Sequence, residues 1–152
     1  YLTPEQQQAL LAATDRLKAM CAELAGYRIP ATLVHGDLHM SNVAHPAENY
    51  LFFDWSDACI AHPFLDLIDI LHERDTALQT QLRDAYLAEW IDYESPERML
   101  AMWQLAYPLC ALHQAVSYQA ILQNTEPRCK AELAGAMPYW FGQILQSLQD
   151  AA

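Results

Sequence analysis

Apolar positions recur at helical spacing near both ends of the chain and crowd into short extended runs around residues 30–55. Leu10, Leu17, Cys21 and Leu24 mark one face of a first helix. Thr3-Pro4-Glu5-Gln6 opens it, with Thr3 as N-cap, Pro4 at the first helical position and Gln6 completing a capping box; Gly26 is expected to end it. Pro30 introduces a short extended run, residues 31–34. Residues 42–45 and 50–53 read as two strands joined by the turn composition of 46–49, a hairpin that presents Asn42 and Asp54 at the same end.

Beyond Pro63 the period is helical throughout. Phe64, Leu67, Ile68 and Leu71 share one face, as do Leu78, Leu82, Tyr86 and Trp90 in the next segment. Ser95-Pro96 starts a longer helix with Met99, Trp103, Ala106 and Cys110 on one side and Pro108 as a predicted kink. Residues 124–129 form a loop, and Pro138 is expected to open a last helix bearing Phe141, Ile144, Leu145 and Leu148. Short strands followed by helices predict an α+β fold, predominantly α by content.

Composition narrows the partners. The 152 residues fit a single domain, and no uncharged apolar run approaches the roughly 20 residues that cross a bilayer. A net charge of −11, with Lys18 and Lys130 as the sole lysines, argues against nucleic acid as a partner. Glu73, Asp75, Asp84, Glu89, Asp92 and Glu94 fall in one acidic stretch, which favours solvated helix faces and, more weakly, a cationic substrate. Cys21, Cys59, Cys110 and Cys129 form no C-x-x-C pair; reduced, mostly buried thiols and a cytoplasmic location are expected.

The chemistry concentrates in His35-Gly36-Asp37-Leu38-His39-Met40-Ser41-Asn42 and in Asp54-Trp55-Ser56-Asp57. One carboxylate can accept a hydroxyl proton as phosphate transfers. A neutral amide oxygen and a second carboxylate can ligate magnesium, which prefers hard oxygen donors. Asp37, Asn42 and Asp54 have those types.

This pattern resembles the protein-kinase catalytic loop H-R-D-L-x-x-x-N with Gly36 in place of Arg, and Asp54-Trp55-Ser56 stands where D-F-G would. The Gly variant, with His39 and a following Asp-Trp, resembles the aminoglycoside phosphotransferase and choline kinase group. His62-Pro63-Phe64-Leu65-Asp66-Leu67 is similar to that group's P-x-x-D-L segment. The resemblance implies a kinase-like C-terminal lobe: a catalytic hairpin at about residues 31–58, packed on a helical bundle. It implies Asp37 as catalytic base, Asn42 and Asp54 as magnesium ligands, and transfer from ATP or GTP to a hydroxyl of a small molecule. His35, His39 and Asp66 would support the loop. Asp57 would either bond within it or substitute for Asp54 as ligand, the structural role being favoured. Phe53 would either lie under the adenine or pack in the core.

The chain contains no G-x-G-x-x-G and no V-A-I-K-like lysine, so the phosphate-clamping N-terminal lobe is absent from it. The chain alone is therefore expected to be inactive, and its lobe-facing surface is expected to be apolar and to self-associate. Two other readings stay open. If 31–39 continued as one strand, His35, Asp37 and His39 would share a face and could bind zinc as in a hydrolase. Alternatively, the chain is a non-catalytic helical interaction module derived from a kinase lobe.

Overall fold

The computed structural model describes residues 2–150, in two compact units. The first comprises residues up to Gly26 together with those from Tyr107 onward; the second runs from Tyr27 to Ala106. The fold is mostly helical with two small antiparallel sheets, each two-stranded.

In the first unit, α1 (Pro4–Ala25) packs against α6 (Ala136–Asp150). The predicted capping box is present: Gln6 N–H donates to Thr3 Oγ1 at 3.2 Å, and Thr3 N–H donates to Gln6 Oε1 at 3.0 Å. Two orphan amides at the helix start are thereby satisfied. Leu17 joins Ala111, Ile144 and Leu148 in a buried cluster, flanked by Leu10, Trp140 and Phe141. Each such aliphatic side chain contributes about 1.5–3 kcal/mol of transfer free energy when fully buried. Arg16 donates to the Leu148 carbonyl at 2.7 Å, so a cation meets the C-terminal end of α6 where the helix dipole favours it. Tyr107 donates to Gln143, and burial together with Tyr139 raises its phenol pKa.

Gly26 ends α1 as expected, in right-handed geometry, φ −80°, its N–H bonded back to Glu23. Other sequence expectations are corrected. Cys21 is exposed, as are Cys59 and Cys129; of the four thiols only Cys110 is buried. Leu17 and Leu24, on either side of Cys21 along the apolar stripe of α1, are both buried. Cys21 lines a surface groove with Leu10, Leu17, Leu112 and Phe141. The last helix begins at Ala136, with Tyr139 N–H bonded to the Gly135 carbonyl. Pro138 sits within the first turn, where its missing N–H leaves no gap in the ladder. A short α5 (Lys130–Leu133) follows the 124–129 loop.

The second unit holds the strands. The predicted run after Pro30 is β1 (Thr32–Val34), but its partner is β4 (Cys59–Ala61), which pairs Leu33 with Ile60. Between them lies the hairpin of β2 (Val43–Ala44) and β3 (Leu51–Phe52), two pairs long. It is shorter than predicted because Asn42 closes a 3₁₀ turn, Met40–Asn42, and the chain is extended only from Val43. The connecting residues 45–50 include Ala47 at φ 58°.

After Pro63 the chain makes a 3₁₀ turn, Pro63–Leu67, then the four-residue α2 (Ile68–Leu71) and α3 (Thr76–Ala88). Asp75 caps α3 through bonds from the amides of Ala77 and Leu78. Trp90, predicted on that helix, lies in the turn beyond it. Phe64 is wholly buried, its ring edge-on to Tyr86, whose hydroxyl donates to the Pro63 carbonyl at 3.2 Å.

Helix α4 (Pro96–Asn124) starts in this unit and contains Pro108 without interruption. The buried Glu94 carboxylate anchors its start. Arg98 lies at 2.9 Å and Arg28 at 3.7 Å, and the Ser95 amide donates at 3.2 Å. The hydrogen bond from Arg98 holds the Glu94 pKa below its usual value. Arg98 also lies 4.5 Å from the centre of the Tyr27 ring.

Candidate functional site

Strand β1 ends at Val34, and the next three residues turn sharply. Gly36 sits at φ +85°, and a Cβ there would come within 2.3 Å of the Asp57 carbonyl oxygen. Only glycine allows this backbone and this closeness together, which explains the residue between His35 and Asp37. The Asp66 carboxylate takes the amides of both turn residues, Oδ2 from His35 at 2.7 Å and Oδ1 from Gly36 at 2.9 Å. A charged acceptor with two oxygens thus fixes two consecutive N–H groups that no strand partner satisfies.

His35 is buried, and its Nε2 lies 2.9 Å from the Phe53 carbonyl. That acceptor places the proton on Nε2 and leaves Nδ1 as a buried atom with no partner among the described residues. Its ring packs at 4.7 Å from Trp55, whose indole N–H donates to the Phe52 carbonyl. The imidazole therefore ties the His-Gly-Asp turn to the far strand of the hairpin.

Asn42 is buried and uses both hydrogens of its amide. Nδ2 donates to the Asp37 carbonyl at 3.0 Å and lies 3.2 Å from His39 Nε2. With both hydrogens engaged, Oδ1 is the remaining donor atom to a cation. The Phe53 amide bonds the Asn42 carbonyl at 3.1 Å, so the ladder brings Asp54 to the end of the hairpin that carries Asn42. Asp54 is exposed at φ 63°, ψ 59°, a left-handed conformation that aspartate tolerates at a cost of about 1 kcal/mol. Its Oδ1 accepts from the Ser56 hydroxyl at 3.1 Å.

Asp37 is half-exposed, with Oδ2 3.6 Å from His39 Nε2. Phe53 is 46 % exposed, so it is not a core residue. The Asp57 carboxylate makes no hydrogen bond within the loop among the described residues; its main chain instead covers Gly36. The zinc arrangement fails because the strand stops before His35, whose Nε2 is committed to Phe53. No group of three or more His, Cys, Asp or Glu able to hold a metal occurs among the described residues.

One supporting residue escaped the sequence reading. Asp69 Oδ2 accepts the Met40 amide at 3.0 Å, a second carboxylate holding the loop from the segment that carries Asp66. Its signal was its spacing: three residues after Asp66, it falls on the same helical face.

Direct bonds thus join a glycine-dependent turn, a buried amide and the residue before a left-handed aspartate in one unit. Residues 1–101 match the phosphotransferase enzyme family, and the chain belongs to that family. No curated protein and no solved structure matches it. Among the described residues, no helix is long and apolar enough to cross a membrane.

Proposed function

We propose that the chain is the catalytic half of a small-molecule kinase, a kinase-like C-terminal lobe that phosphorylates a hydroxyl with ATP or GTP. The observation that carries this reading is the chain of direct bonds Asp37–Asn42–Phe53–His35, which joins the three candidate residues' segments into one unit. Asp37 accepts the proton of the acceptor hydroxyl as its oxygen bonds the γ-phosphorus and the bond to the β–γ bridging oxygen breaks. Transfer is direct and in line, because the motif contains no nucleophile for a phosphoenzyme. His39 positions Asn42, its Nε2 accepting from the Asn42 amide at 3.2 Å.

The donor set suits magnesium: Asn42 Oδ1 and the Asp54 carboxylate are hard oxygens, and two protein ligands suffice when nucleotide phosphates and water complete the shell. Bound there, the ion would offset charge on the phosphates. Asp66 and Asp69 keep the loop in place by holding the amides of His35, Gly36 and Met40. The phosphate-clamping elements are supplied by residues beyond these 152, since neither a glycine-rich loop nor a strand lysine occurs among them. Phe53, an exposed aromatic next to Asp54, would meet the nucleobase.

The test uses the chain alone and the polypeptide extended to include a glycine-rich loop and lysine strand. The extended protein is expected to phosphorylate a hydroxyl compound, and Asp37→Asn to lower kcat by about 10³-fold or more with little change in nucleotide KM. The 152-residue chain is expected to show no multiple turnover. Equal losses in kcat and nucleotide affinity would reassign Asp37 to binding, and turnover by the chain alone would overturn the division of labour.

A further inference from the structure

A groove of about 250 Å³ lies in the second unit, between the C-terminal half of α3 and the first turns of α4. Leu87 and Met99, 5 % and 2 % exposed, form its floor, and Ile91 and Leu100, 59 % and 43 % exposed, stand at its sides. Asp84 lines it from one turn before Leu87, on the same face of α3. Among the described residues, none of the catalytic loop, the hairpin or the Pro63–Leu67 turn takes part. The volume falls short of the roughly 300–1,000 Å³ of small-molecule pockets, so the groove suits one or two side chains of a larger partner. Two helices that meet along an apolar seam leave a furrow into which a third helix packs a ridge of i and i+4 side chains.

Charge decides what kind of helix fits. The second unit carries thirteen Asp and Glu residues against four Arg and no Lys. Near the groove both arginines are committed, Arg83 to Asp84 at 2.7 Å and Arg98 to Glu94 at 2.9 Å. Glu89, Asp92 and Glu97, each next in sequence to a residue that lines the groove, are exposed and form no ion pair among the described residues. The helix ends act in the same direction. The last turn of α3 holds no basic residue, so its negative dipole end is unopposed, whereas Glu97 in the first turn of α4 offsets that helix's positive end. A field of this sign attracts cations and repels anions over about a Debye length, ~8–10 Å at ordinary ionic strength.

From this complementarity we propose that the α3–α4 groove docks a basic amphipathic helix of a partner protein. Its apolar side chains seat on Leu87 and Met99 between Ile91 and Leu100, and its lysines or arginines face Asp84, Glu89, Asp92 and Glu97. The surface goes beyond the phosphoryl-transfer reading and needs neither nucleotide nor metal. Long-range attraction brings the helix in, and burial of Ile91 and Leu100 holds it.

The experiment titrates the 152-residue chain into a fluorescein-labelled amphipathic peptide, leucines on one face and lysines on the other, and follows anisotropy. Saturable binding that weakens as salt rises is expected. Alanine in place of the peptide's leucines, at unchanged charge, is expected to weaken it about tenfold or more, and glutamate in place of its lysines to abolish it. Leu100→Asp makes the groove polar while adding negative charge. It is expected to weaken binding about tenfold, where bare attraction between charges would strengthen it. Ile91→Asp, at the more exposed turn position, repeats the test independently of α4, and circular dichroism reports the folding of both variants. Equal affinity for the leucine and alanine peptides, unaltered binding by the two variants, or no saturation at millimolar concentration would overturn the docking surface. None of those outcomes bears on the role of Asp37, which is read from turnover.

Discussion

Gly36 shows how one residue makes the site possible. Its left-handed backbone and its closeness to the Asp57 carbonyl exclude any side chain, and its amide is held by Asp66. Gly36→Ala is expected to destabilise the protein by roughly 2–4 kcal/mol, from backbone strain plus displacement of the 54–57 segment. Urea denaturation of the variant measures this; an unchanged midpoint would mean that the segment moves aside freely. Asp54 bears the opposite burden, a non-glycine residue in left-handed geometry that carries a candidate ligand. The H-G-D-x-x-x-x-N spacing singled out Asp37 and Asn42 as candidates, and the later Asp-Trp pair singled out Asp54, because both patterns are local. Asp69 was not legible as a brace, because its partner Met40 lies 29 residues away and only packing brings them together.

At the scale of elements, the short turn Pro63–Leu67 links the core to the loop: Phe64 is buried, while Asp66 holds His35 and Gly36. His62 caps this turn, its Nδ1 accepting the Phe64 amide at 3.2 Å, and burial lowers its pKa to about 4. The unfolded chain, with an ordinary value near 6.5, takes up a proton before the folded one does. Stability from this group is therefore complete above pH 6.5 and lost as the pH falls from 6.5 through 4. Its partial exposure reduces the effect to about 1–2 kcal/mol. His62→Asn keeps an acceptor for the Phe64 amide and removes the titration, so the difference in stability between about pH 7 and pH 4.5 should shrink in urea melts by that amount. A difference identical to that of the unmodified protein would place the acid sensitivity elsewhere.

At the scale of the whole molecule, the second unit carries several exposed apolar side chains. Leu33 and Ile60 face each other across β1 and β4 at 62 % and 72 % exposure, and Leu51, Phe53 and Trp55 are exposed in the same unit. The chain on its own is expected to self-associate through this surface, its sedimentation coefficient rising with concentration. The double change Leu33→Thr and Ile60→Thr puts β-branched residues at both strand positions and should restore concentration-independent sedimentation. A monomer at every concentration in the unmodified chain would refute this.

Sequence alone determined the helices with strong period and caps, the family, and the residue types of the candidate site, because those depend on spacing within a few turns of chain. It did not determine that β1 pairs with β4, that the hairpin shortens to two pairs, or that three of four thiols are exposed. Tertiary structure decided these, and it decided which carboxylates hold the loop. The physical reason is the same in each case: backbone amides and apolar faces take whatever partner folding brings near, and a partner tens of residues away leaves no local pattern.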